Sequence, residues 1–259
     1  TNIVRNVGKY KHENFPGICP IRAAREADMV KRIVVKFKDS SFPPAAAAAM
    51  WRTIIGASTS VEGALAISAY APDKQNDLYW MAREYFGPFL PVTKQPYIKR
   101  VIGDVMDGKA AVGIVPMPSS NDNESWWLSL IQTGGDSPKI FAHIPFVHFA
   151  AAARDTPVAL AIARIKPEET DNDVSIFVIE ADGNLSQNKL QSAFVSAKLE
   201  TSWVNIATVN AASRHHLIEI KGFITPDHEK ILSVTKELGS AVMNLYCLGA
   251  YAQPITIDS

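Results

Sequence analysis

The sequence predicts a multidomain protein of mixed α/β and α+β class, with a helical segment, a central βαβ lobe and a C-terminal βαββαβ unit of the ferredoxin-like kind. Three observations predict this order. Apolar residues recur at helical spacing in residues 1–65. Short apolar runs then alternate with helical stretches in residues 66–165. A charged linker, KPEETDND, occupies residues 166–173 and precedes six elements in residues 174–259.

Composition narrows the classes of function. The chain has 259 residues, of which 47% are hydrophobic, and its 26 basic residues balance its 26 acidic residues. No basic cluster with interleaved aromatic residues stands out, so we expect no nucleic acid partner. Cys19 and Cys247 have the spacing of neither a disulfide framework nor a metal site. No apolar run reaches the ~18 residues of a membrane span, and we expect a cytoplasmic protein without a membrane partner.

Two helices are predicted in the helical segment, at about residues 21–37 and from Pro43 to about residue 65. Pro43 and Pro44 follow a turn-forming Asp-Ser-Ser sequence and suit a first helical turn. Each helix carries an apolar stripe, made of Met29, Val30, Ile33, Val34 and Phe37 in the first and of Trp51, Ile54, Ile55, Val61 and Leu65 in the second.

Polar residues continue both stripes. Glu26 and then Arg22 lie on the turns before the first stripe, and Ser58 and Glu62 fall inside the second. A carboxylate on a buried helix face is costly unless it is paired or hydrogen-bonded. Two interpretations follow: these residues line a polar pocket, or they satisfy one another or a helix end.

The remaining helices and strands are predicted from changes in the spacing of apolar residues along the chain. In the central lobe, strands are predicted at residues 66–70, 90–93, 110–115, 139–149 and 158–165, with helices at 78–86, 97–106 and 126–131. In the C-terminal unit, strands are predicted at residues 174–180, 203–209, 217–221 and 242–248, with helices at 186–198 and 226–239.

About a quarter of the chain resembles the second part of the all-helical class of chorismate mutases. The matching pieces are Gly8-Lys9-Tyr10-Lys11, then Arg25-Glu26 at a helix start, then Ser58 with Glu62 one turn later. The resemblance implies that chorismate rearranges to prephenate through positioning and electrostatic stabilisation, with no cofactor and no metal. It also implies a homodimer.

The resemblance implies a role for each matching residue. Lys11 would contact the ether oxygen and a carboxylate of chorismate, Arg25 would help bind a carboxylate, and Ser58 would donate a hydrogen bond to one. Glu26 would accept a hydrogen bond from the ring hydroxyl. Glu62 would face the ether oxygen, where many family members carry glutamine. Glu62 must then be protonated, so we expect mutase activity to fall as pH rises through a raised pKa.

Two departures from the mutase pattern affect the expected activity. The family's long first helix carries substrate-binding arginines, and this sequence begins near the end of that helix. We expect an inactive pocket if Thr1 is the true start and an active one if residues precede it. Arg22 also occupies a position where many members have an acid.

The central region resembles the first lobe of prephenate dehydratase. Ala69-Tyr70-Ala71-Pro72 and the AREYFG and AVGIVP sequences at 82–87 and 111–116 carry the likeness. Where the family has Pro-x-Glu-Asn-Ser, this chain has Pro116-Met117-Pro118-Ser119-Ser120, and the threonine-arginine-phenylalanine motif has no counterpart. The resemblance therefore favours a retained scaffold over an active dehydratase.

Residues 174–253 resemble an ACT domain, with the best match at Ile218–Gly222 and Leu248–Tyr251. Paired ACT domains of that family bind phenylalanine, which implies an aromatic amino acid effector here, and Gly183 is compatible with its close approach. The second motif is Asn210-Ala211-Ala212-Ser213 instead of Glu-Ser-Arg-Pro, so a purely dimerising role is the alternative. The sequence thus favours a chorismate mutase, with a non-catalytic regulatory protein or a weak dehydratase as alternatives.

Overall fold

The structure is a computed structural model that describes residues 21–62, 65–119, 124–131, 137–150, 157–209 and 212–257. Two helices come first, α1 (Ala23–Phe37) and α2 (Pro44–Glu62), and they pack against each other. Both helices were predicted from the sequence, and the structure confirms them.

The two helices bury different kinds of residue. In α1, Val30 and Val34 of the predicted stripe are buried together with Ala27. In α2, the predicted stripe is wrong in part, because Ile54 and Val61 are 50% and 49% exposed. The buried face of α2 instead carries Ala47, Ala48, Arg52 and Gly56. Small residues allow close approach here, since a Cβ on Gly56 would collide with the carbonyl of Phe86.

The central lobe has six strands, of which all except Val147–Phe149 belong to one sheet. Its elements are β1 (Ile67–Tyr70), α3 (Asp77–Phe86), β2 (Val92–Gln95), α4 (Ile98–Met106), β3 (Val112–Pro116), a 3-10 helix (Trp126–Leu130), β4 (Lys139–Ile144), β5 (Val147–Phe149) and β6 (Ala159–Ala163). Strands β2, β1 and β3 are parallel, and β6 then pairs antiparallel with both β3 and β4. The predicted mixed βαβ lobe is therefore confirmed.

The C-terminal unit has the predicted order of elements. They are β7 (Asp173–Asp182), α5 (Gln187–Ser196), β8 (Thr201–Thr208), β9 (Ser213–Lys221), α6 (Glu229–Leu238), a 3-10 turn (Gly239–Ala241) and β10 (Val242–Ala252). The strands lie in the order β10-β7-β9-β8, and every neighbouring pair is antiparallel. A short strand β11 (Ile255–Ile257) then pairs with β5.

The two sheets join into one sheet of nine strands, because β10 pairs parallel with β4 where Gly249 lies opposite Ile140. One apolar cluster crosses this junction and contains Ile140 and Ile162 from the central lobe and Ile176 and Leu217 from the C-terminal unit. Helices α1 and α2 pack beside this sheet through Phe146. The predicted domain boundaries at residues 65, 165 and 174 stay predictions.

Candidate functional site

A buried ion pair lies between the two N-terminal helices. The Arg52 Nη1 atom of α2 is 3.4 Å from Oε2 of Glu26 on α1, and their side chains are only 7% and 13% exposed. Glu26 was predicted to point inward because it continues the apolar stripe of α1. Glu26 is thus paired with a residue that the sequence did not single out, and both earlier interpretations of the polar residues stay predictions.

Aromatic rings surround the Arg52 guanidinium. Its central carbon lies 4.0 Å from the centre of the Tyr85 ring and 5.6 Å from that of Phe146. Such contacts stabilise a cation that has left water. Burial raises the pKa of Tyr85, while the positive charge of Arg52 opposes that rise. Among the described residues, the guanidinium therefore contacts the acid Glu26 and the rings of Tyr85 and Phe146.

A cavity of about 230 Å³ opens beside this guanidinium, and we call it the arginine cavity. It lies between α1, α2, α3 and the segment that joins β4 to β5. Its walls are mostly apolar, and Glu84 adds an exposed carboxylate. The other lining residues are Val30, Ala45, Ala48, Ala49, Met81, Tyr85, Ile144, Pro145, Phe146, Val147 and Phe149.

A second cavity of about 570 Å³ separates α1 from the predicted linker. Basic residues line it from α1, and acidic residues line it from the linker, among them Glu168 and Asp171. Arg22 Nε is 2.9 Å from Glu168 Oε1, and Lys31 Nζ is 3.8 Å from Asp171 Oδ2. These pairs are exposed and contribute little to stability, but the acidic linker faces the cations of α1.

The predicted site residues occupy different environments. Lys11 lies outside the described residues, and α2 ends at Glu62, whose side chain also lies outside them. Arg25 is exposed and lines the cavity beside the linker. Ser58 is exposed, and its hydroxyl donates to the carbonyl of Ile54 at 3.0 Å within the same helix. Glu26 faces Arg52, so the described contacts place these three side chains in three separate environments.

Sequence reasoning missed Arg52, although a signal was present. Ala48, Arg52 and Gly56 are spaced by four residues, which places them on one helix face. Small residues on either side of an arginine at this spacing indicate a face that packs closely. The predicted stripe followed the large apolar residues instead, and these are partly in solvent.

A partly buried carboxyl, that of Glu219 on β9, lies near the end of β3. Glu219 borders a small apolar recess with Met117, Pro118 and Trp127. The Tyr251 hydroxyl donates to Glu219 at 2.7 Å, and burial raises the pKa of this carboxyl. Sequence reasoning missed Glu219 because the alternation of residues along β9 does not indicate which face of the strand other residues cover.

Two features are absent from the described part of the chain. No cluster of three or more His, Cys, Asp or Glu side chains is arranged there to hold a metal ion. Among the same residues, no helix combines the length and apolar character that crossing a bilayer requires.

Comparisons with known proteins identify the fold. No protein-family model and no curated protein sequence matches the chain. Among solved structures, prephenate dehydratase of Staphylococcus aureus subsp. aureus Mu50 has 13% identity and a TM-score of 0.53, with 71% of this chain and 99% of that chain covered. The chain has a prephenate dehydratase-like fold.

Two further structures share this prephenate dehydratase-like fold. Prephenate dehydratase of Arthrobacter aurescens, solved in complex with L-Phe, has 12% identity and a TM-score of 0.52, with 74% and 93% of the two chains covered. GqqA, described as a novel type of quorum quenching acylase, has 14% identity and a TM-score of 0.55, with 73% and 96% covered. The prediction of a dehydratase-like lobe is confirmed as a fold, and this fold is found with more than one reaction.

Proposed function

We propose that this chain acts in aromatic amino acid biosynthesis as a regulatory protein that binds an aromatic amino acid. The observation that supports this most is the dehydratase-like lobe followed by the antiparallel βαββαβ unit, a fold shared with a dehydratase solved in complex with L-Phe. The lobe has Met117-Pro118-Ser119 where the dehydratase pattern has its acid, which favours regulation over dehydration.

The turn after β7 is the expected place for the effector. Gly183 N donates to the carbonyl of Ala212, and Asn184 N donates to Oδ1 of Asp182 at 2.7 Å. Ser186 then caps α5 by accepting from Lys189 N. These hydrogen bonds order the turn, and a glycine permits close approach of a ligand to the backbone.

Calorimetric titration with L-phenylalanine, L-tyrosine and L-tryptophan tests this proposal. We expect one of them to bind saturably to the full chain and Gly183→Val to weaken that binding at least tenfold. Gly103→Ala on α4 is the matched control, because an added Cβ there meets no atom within 4 Å. Absence of binding for all three amino acids, or equal affinity in Gly183→Val, contradicts the proposal.

Chorismate mutase activity is the second candidate. The inward position of Glu26, beside the buried Arg52, favours it, because the mutase resemblance requires a carboxylate between the two helices. The rearrangement would then depend on charges placed around the substrate rather than on a nucleophile. The roles of Lys11, Arg25, Ser58 and Glu62 in it stay predictions.

Loss of chorismate absorbance on adding the native protein tests the second candidate. We expect Glu26→Gln to lower the rate at least tenfold, and Lys38→Gln, at an exposed position after α1, to leave it unchanged. Glu62→Gln should remove the fall in activity at high pH. A rate equal to that of chorismate alone rules out mutase activity, and phenylpyruvate formed from prephenate would instead support a dehydratase.

A further inference from the structure

We infer that the arginine cavity is a binding site for a small aromatic monocarboxylate, with Arg52 as the residue that binds the carboxylate. This site lies between the helical pair and the central lobe. It is separate from the effector turn after β7, so the inference goes beyond the proposed function and does not depend on it.

The first argument is the incomplete set of partners around Arg52. A guanidinium has five N–H donors, and a buried one normally finds acceptors for them. Only Nη1 approaches Glu26, and its 3.4 Å is longer than the 2.7–2.9 Å typical of charge-assisted hydrogen bonds. Nη2 is buried and has no hydrogen-bond partner among the residues that the structure describes. The guanidinium can therefore donate hydrogen bonds to another oxygen ligand.

The second argument is the shape of that ligand. Planar carboxylates match the guanidinium, because two oxygens can accept from two N–H groups at once. Nη2 is shielded from solvent, so binding requires the guanidinium to turn toward the cavity that Arg52 already lines.

The third argument is the apolar wall. Tyr85 and Phe146 offer ring faces and edges, and Met81 offers a flexible thioether that packs well against rings. Ala45, Ala48 and Ala49 form a wall of small side chains on α2, which leaves space instead of filling it. Such a wall favours the apolar body of a ligand over water.

The fourth argument is size. An apolar cavity of about 150 Å³ accommodates one benzene ring. The arginine cavity, at about 230 Å³, accommodates one ring with a carboxylate on a short linker. It is too small for a two-ring or sugar-bearing ligand, and the single exposed carboxylate of Glu84 opposes a second negative charge on the ligand. These limits specify a compact monoanion.

Phenylacetate is the probe, and its neutral analogue phenylacetamide reports whether the charge matters. Both are titrated calorimetrically into the full chain. Ala45→Leu fills the cavity without touching the ion pair, and Ala46→Leu is the matched control on the same helical turn. Glu26→Gln/Arg52→Met removes both charges, so neither partner stays buried without the other.

We expect phenylacetate to bind saturably and phenylacetamide to bind at least tenfold more weakly. Ala45→Leu and the double variant should each weaken phenylacetate binding at least tenfold, and Ala46→Leu should leave it within twofold. Equal affinity for the amide, unchanged affinity in Ala45→Leu, or no saturable binding would overturn the inference. The L-amino acid titrations report separately on the effector turn, since Ala45→Leu should not change a response that depends on Gly183.

Discussion

Arg52 is a cation that the fold holds away from water, and its removal should be costly. Arg52→Met leaves the mostly buried Glu26 carboxylate without its guanidinium, and breaking such a pair from one side typically costs about 3 kcal/mol or more. Glu26→Gln/Arg52→Met removes both charges of the pair, so we expect it to recover most of the free energy of unfolding that Arg52→Met loses. Urea unfolding of the wild type, both single variants and the double variant measures the coupling between the two residues.

An exposed ion pair on α1 provides the control for this urea unfolding experiment. Arg32 and Asp28 form an exposed pair on α1 at 2.8 Å, and Arg32→Met should change the free energy of unfolding by less than about 1 kcal/mol. If Arg52→Met lowers the free energy of unfolding no more than this exposed variant does, the buried ion pair does not stabilise the packing of α1 against α2.

His143 links stability to pH. Burial lowers its pKa to about 4, an effect that the Pro145 carbonyl opposes and the neighbouring His148 reinforces. The unfolded chain binds a proton near pH 6.5 that the folded chain binds only near pH 4. Stability from neutral His143 is therefore present above pH 6.5 and is lost as pH falls toward 4.

We expect the wild type to lose about 2 kcal/mol more stability than His143→Phe between pH 7.5 and pH 5, as measured by urea unfolding. The comparison with the variant is needed because Glu219, whose pKa burial raises, acts with the opposite sign. An equal loss in both proteins would mean that His143 titrates normally in the folded chain.

Single residues show where sequence reasoning succeeds and where it stops. Glu26 was predicted to face inward because periodicity alone places it on the buried face of α1. Its partner Arg52 was missed, since the partner of a buried charge depends on which faces of two helices meet. The same limit applies to Glu219, which is partly covered by residues of the central lobe that are distant in sequence.

Gly249 lies where β10 pairs with β4 and allows the two backbones to approach closely. Its φ is +141°, and a Cβ there would collide with the backbone of Ile140. We expect Gly249→Ala to lower the free energy of unfolding by at least about 2 kcal/mol, because strands that pair there must move apart. Denaturant unfolding monitored by circular dichroism measures the change.

Gly103→Ala is the matched substitution for that experiment. Gly103 lies inside α4, and nothing within 4 Å opposes an added Cβ, so the variant should gain up to about 1 kcal/mol through helix propensity. A Gly249→Ala variant as stable as Gly103→Ala would show that the strand junction tolerates a side chain.

The type and order of elements were predicted far better than their ends. Period and turn residues identify α3 and α4 because each buries one face, and β1 is identified by its short apolar run. The single predicted strand at residues 139–149 is instead two strands, β4 and β5. Pro145 lies between them and has no N–H to donate to a sheet, which is the local reason for the break.

At the scale of the whole molecule, the sequence predicted separate units, whereas the structure joins two of them through one sheet. Strand pairing between β4 and β10 connects residues more than a hundred positions apart, and no local pattern encodes such a pairing. The apolar cluster around Trp126 and Trp127 includes residues from both units, so neither unit buries its surface alone. Cooperative unfolding follows from this arrangement.

We therefore expect the central lobe and the C-terminal unit to unfold in one transition, with coincident urea curves from tryptophan fluorescence and far-ultraviolet circular dichroism. Leu248→Ala, in the shared cluster, should shift that whole transition by about 3 kcal/mol. Leu232→Ala, at an exposed position on α6, should shift it by less than about 0.5 kcal/mol. Two separated transitions, only one of which responds to Leu248→Ala, would mean that the units fold independently despite their common sheet.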